Sequence, residues 1–169
     1  MGTDFSAGST LRICQFEIEQ LYKNALLRAR AMLTSPDKYG FSYGPKAFHD
    51  WADDVENGYF TEEGREYTTY VCLLATNGSS HGALFGQMYE RFPERAFLRD
   101  IIERFRALGH DNVGFTPCNI WGDLEKLGGG FNYSIETMRY AEKRKQIADK
   151  IREAAGHMDE VARLLNENL

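Results

Sequence analysis

The chain has 169 residues, a net charge of −5, 43% hydrophobic residues and 13% aromatics. That size and apolar share support one domain with its own core and exclude a disordered chain. Lys and Arg are interleaved with acids throughout, so the basic face that nucleic acid requires is missing.

In chain order, residues 1–10 (MGTDFSAGST) carry no apolar signal-peptide core and read as a flexible leader or linker remnant. Residues 11–169 then form a single domain. LRICQF is the one weak strand candidate, since no β-type alternation persists elsewhere. A first helix is predicted over 18–33, with Ile18, Leu21, Tyr22, Ala25, Ala29 and Met32 on one face. Pro36 and Gly40 end it. Gly44-Pro45 opens a second helix, because proline at the first helical position loses no hydrogen bond. Phe48, Trp51, Ala52 and Val55 form its inward face, and Gly58 stops it.

Thr61 followed by Glu62 and Glu63 suits a third helix start, with acids near the positive dipole end. Tyr67, Tyr70, Val71 and Leu74 supply its stripe before Asn77-Gly78 closes it. Ser79 or Ser80 caps a fourth helix that buries Leu84, Phe85, Met88 and Phe92, and Pro93 opens a fifth containing Leu98, Ile101, Ile102, Phe105 and Leu108. A short helix over 119–127 is built around Ile120, Trp121 and Leu124. The longest segment, 134–166, places Ile147, Ile151, Ala154, Met158, Val161 and Leu165 near heptad spacing. That stripe suits packing along the chain's own bundle or, as an alternative, a homodimer. The pattern predicts an all-α bundle of six or seven helices with a long C-terminal helix.

Cys14, Cys72 and Cys118 are odd in number and far apart, with no C-x-x-C spacing. Free thiols suit a reducing cytoplasm, and no apolar run approaches membrane-spanning length. Cys118 follows Pro117 near a helix start, where the dipole would lower its pKa, but TPCNIW offers no adjacent histidine to act as a base. His49/Asp53 and Glu153/His157 stand four residues apart on helices. A metal site needs three or four ligands, so both pairs read as solvated charged faces, and no metal or cofactor is predicted. LGGGFN lacks any phosphate-loop pattern and reads as a turn, with Gly128 capping the preceding helix.

NGSSHGALFGQMYERF is the one candidate ligand site, formed by Asn77, Ser79, Ser80, His81, Gly82 and Gly86. It is a turn first. Hydroxyls at a helix start, a histidine that exchanges protons near neutral pH, and two glycines one turn apart would also admit a small ligand. Close helix packing is the plainer use of those glycines.

HGALFGQMYERF, YGPKAFHDWADDVEN and IWGDLEKL together resemble the C-terminal helical domain of butirosin biosynthesis protein H-like proteins, over about residues 40–127. The resemblance lies in core residues. It implies an all-α accessory domain, facing substrate, that works beside a papain-like domain with a catalytic cysteine; the named member transfers an acyl group from a carrier protein to an aminoglycoside. Only LRICQF stands where a papain-like half would precede, Gly86 replaces the expected basic residue, and Pro93 interrupts a helix. The resemblance therefore places no catalytic residue in this chain. A free-standing interaction or self-association module is the alternative.

Overall fold

A computed structural model of the chain describes residues 7–35, 37, 39–61, 80–108, 120–128 and 134–169. Among these, the elements are α1 (Ala7–Leu33), α2 (Gly44–Glu56), a 3₁₀ turn (Tyr59–Thr61), α3 (Ser80–Arg91), α4 (Ala96–Leu108), α5 (Ile120–Leu127), α6 (Ile135–Arg139) and α7 (Ala141–Asn168). No strand occurs among the described residues, and the protein is an all-α bundle with a long C-terminal helix. The predicted third helix lies almost wholly outside the described residues. Thr61 ends the 3₁₀ turn, and its hydroxyl donates back to the Gly58 carbonyl at 2.7 Å.

Helix α7 is the axis of the bundle. Ile147, Ile151, Ala154, Met158, Val161 and Leu165 are all buried, the most exposed at 8%. Ala148, Ala155 and Ala162 recur beside that stripe and are buried too, and their small side chains let a neighbour approach closely. That neighbour is α2, whose contact with α7 is the most extensive between elements of the described residues. The two run antiparallel, because His49 meets Asp159, Asp53 meets Arg152, and the Glu56 carbonyl meets Arg144. The α7 stripe is thus occupied inside its own bundle.

Local chemistry explains the start of α2. Gly44 has φ +59, and a Cβ there would stand 2.3 Å from the Leu33 carbonyl oxygen, so only glycine lets α1 and α2 meet so tightly. Pro45 follows in the first turn and is buried.

Four expectations need correction. The weak strand at residues 11–16 lies within α1, which begins at Ala7 and so takes four residues from the segment expected to be leader. A lone strand has no ladder to join, whereas helix satisfies its own backbone. In α1 the core face is rotated from the expected one: Leu26 is 1% exposed, while Leu21 and Met32 are 67% and 58% exposed. The predicted face spanned too wide an arc, and only its Tyr22, Ala25 and Ala29 edge packs on the core. Leu84 is likewise exposed. Pro93 does not open a helix: it takes the second position of a turn over residues 92–95, where its fixed φ fits, with the Arg95 amide donating to the Phe92 carbonyl at 3.0 Å, and α4 begins at Ala96.

Candidate functional site

Of the candidate site residues, Asn77 and Ser79 lie outside the described residues. Ser80, His81 and Gly82 form the first turn of α3, and Gly86 is half-buried one turn further on. These four therefore share one helix, with Gly82 and Gly86 on the same face. The far half of α3 is anchored by rings: Phe85 stacks on Phe105 with centroids 5.5 Å apart, and Phe92 meets Tyr22 edge-on at 5.3 Å. An open hollow of about 300 Å³, lined by Tyr22, Gln87, Glu90 and Arg91, lies at that anchored end.

Ser42, Lys46 and Asp50 form a polar cluster at the start of α2 that the sequence reading missed. Lys46 Nζ lies 3.1 Å from Ser42 Oγ, 2.5 Å from Asp50 and 3.2 Å from Asp37, and Ser42 also donates to Asp50. A serine beside a lysine suggests an activated nucleophile, which would need a neutral amine. Here hydrogen bonds to Asp50 and Asp37 push the Lys46 pKa up. The ammonium stays charged, so Lys46 does not serve as a base toward Ser42, and the cluster ties the α1–α2 connection.

The two helical pairs weighed as metal ligands face other partners. His49 Nε2 lies 3.0 Å from Asp159. Asp53 binds Arg152 at 2.7 Å, and Arg152 also binds Glu56 at 2.6 Å; hydrogen bonds to both carboxylates raise the arginine pKa. Glu153 pairs with Lys150 at 2.8 Å. His157 is half-buried, and burial, then the nearby Arg104, lower its pKa. Among the described residues no group of three or more His, Cys, Asp or Glu is gathered for a metal.

Gly128 follows α5 with φ +83, as a helix-ending glycine should, and a Cβ there would meet the Thr137 side chain at 3.0 Å. Gly129 and Gly130 lie outside the described residues, as do Cys72 and Cys118. Trp51, expected as a core anchor, is half-buried; it packs 6.4 Å from Phe48, and its buried indole Nε1 has no hydrogen-bond partner among the described residues. Ile120 and Leu124 are buried as expected.

Larger exposed features lie on α1 and the turn after it. Leu21, Met32, Tyr39 and Phe41 are 67%, 58%, 82% and 70% exposed. Tyr39 adopts φ +56, unusual for a residue with a side chain, and Gly40 follows at φ +79. No helix of the described residues is long and apolar enough to cross a membrane. Comparison with family models, curated proteins and solved structures finds no match to this chain.

Proposed function

We propose that this chain is a helical accessory domain that faces a protein partner and has no catalysis of its own. The observation that carries this reading is the exposed apolar series on α1 and its following turn, from Leu21 and Met32 to Tyr39 and Phe41. Contiguous exposed apolar surface marks contact sites, and Leu21 and Met32 stand eleven residues apart on one face of α1. The polar clusters add support from the other side, since Lys46, Asp53 and Arg152 are engaged in ties between structural elements. The resemblance to butirosin biosynthesis protein H-like proteins names the partner class, a papain-like catalytic domain, and a cytoplasmic setting suits three cysteines with no C-x-x-C spacing.

The test is site-specific photo-crosslinking from Leu21 and Met32 in cells, read by mass spectrometry. Crosslinks to a papain-like domain, in the same polypeptide or another, support the proposal. Crosslinks to a second copy favour the self-associating alternative, and no crosslink at either position overturns both. A small-ligand site at α3 is the second reading, favoured because Gly82 and Gly86 stand one turn apart on that helix and leave a face without bulk. An NMR titration with acetate and inorganic phosphate tests it; no shift over residues 77–86 at millimolar ligand would discard it.

A further inference from the structure

The sequence predicts one continuous helix from Ser134 onward, yet the chain breaks between α6 and α7. Met138, Arg139, Tyr140, Ala141 and Glu142 contain neither glycine nor proline. Tyr140 nonetheless takes an extended backbone, with φ −87 and ψ 113, and its side chain is 64% exposed. Sharp helix breaks without Pro or Gly arise where a side chain inserts into the backbone ladder. Arg144 is that side chain. Its Nη1 donates to the carbonyls of Met138 at 2.9 Å and Arg139 at 3.2 Å. In a continuous helix those carbonyls would accept from the amides of Glu142 and Lys143. Its Nε reaches the Glu56 carbonyl at 3.3 Å, the last residue of α2. One guanidinium thus replaces two ladder donors and ties the elbow to the end of a second helix, where a cation is favoured.

We propose that the α6–α7 elbow is a two-state hinge held bent by Arg144, with a single continuous helix as its alternative state. The opposing terms are of similar kind. Straightening restores backbone bonds across Tyr140, whereas bending keeps Met138 at 0% exposure and α6 packed against the 3₁₀ turn. Ala141 at the start of α7 is exposed, and its amide makes no hydrogen bond to any described backbone carbonyl. Straightening would withdraw Met138 from the core and free the C-terminal end of α2. The hinge is therefore a means of opening the end of the α2–α7 seam.

Two substitutions with opposite effects test this. Ala141→Pro is compatible with the bend alone: proline is welcome at the first position of α7, and Tyr140 already has the extended backbone that precedes proline. In a continuous helix the same proline would be internal and disruptive. Arg144→Met removes the donors and keeps the aliphatic bulk. By NMR, Ala141→Pro should stay folded with Tyr140 ¹³Cα in the extended range. Arg144→Met should move that shift to the helical range and slow amide exchange at Glu142 and Lys143 by about tenfold or more. The double variant should return the shift to the extended range. An unfolded Ala141→Pro overturns the bend as the solution state, and an unchanged Tyr140 shift in folded Arg144→Met overturns Arg144 as the latch. If Arg144→Met fails to fold, rescue by Ala141→Pro supports the hinge, and failure of the double variant overturns it.

Discussion

Helices α1 and α7 are nearly equal in length, 27 and 28 residues, but they are used in opposite ways. Helix α7 buries a full stripe and is cross-linked by ion pairs to α2 and α5. Among its described side chains, helix α1 seats a narrow edge, centred on Leu26, and leaves Leu21 and Met32 in solvent. Helix α1 is the richer of the two in apolar residues, so composition alone does not decide which helix carries the core. What separates them is the width of the arc that meets a neighbour.

The largest expected effect sharpens that contrast directly. Ile151→Ala, at 0% exposure, should destabilise by about 2–5 kcal/mol, and Leu21→Ala by less than about 0.5 kcal/mol. Urea denaturation of the two variants checks it; equal losses would break the comparison. Next come the glycines. Gly44→Ala, at the α1–α2 join, should cost about 1–3 kcal/mol because a Cβ meets the Leu33 backbone at positive φ. Gly156→Ala in α7 meets nothing within 4 Å and should stabilise by up to about 1 kcal/mol. Thermal melts of both variants should move in opposite directions.

Smaller still is the ion-pair seam. Arg152→Met should cost about 0.5–1 kcal/mol, since the partners Asp53 and Glu56 are partly exposed and water screens them. The loss should shrink at high salt.

The last effect is the pH dependence of the α4–α7 contact. Burial and Arg104 hold the His157 pKa below its ordinary value of 6.5, with Glu153 opposing them weakly. The fold therefore favours neutral imidazole. Its contribution is complete above about pH 6.5 and is lost as pH falls through the lower folded value. Between pH 7.5 and 5 the urea midpoint should fall further in wild type than in His157→Gln. Equal falls would place His157 outside the contact.

How much of this was legible in the sequence depends on the range of the forces involved. The α7 stripe could be read because 3.6-residue periodicity is local and its apolar residues are large. The start of α2 at Gly44-Pro45 and the stop at Gly128 follow from backbone sterics within a few residues. The elbow at Tyr140 could not be read, because Arg144 acts partly through a carbonyl of α2, 88 positions away. The rotation of α1 was hidden for a related reason: Leu21 and Leu26 are chemically alike, and only the neighbour's position decides which is covered. Of the candidate site, the helix that carries Gly82 and Gly86 was legible from its amphipathic run. The ties of His49 and Asp53 to α7 were not, since each partner lies about a hundred residues away in sequence.

Native-state hydrogen exchange across both long helices is the most direct test of this division of labour. Amides of α7 from 147 to 165 and those of α2 should exchange together and most slowly, through global unfolding. Amides of α1 from 17 to 24 should exchange through smaller openings, at rates that are insensitive to Ile151→Ala. If the α1 amides instead match α7 in protection and lose it in step with that variant, α1 is integral to the core and the contrast fails.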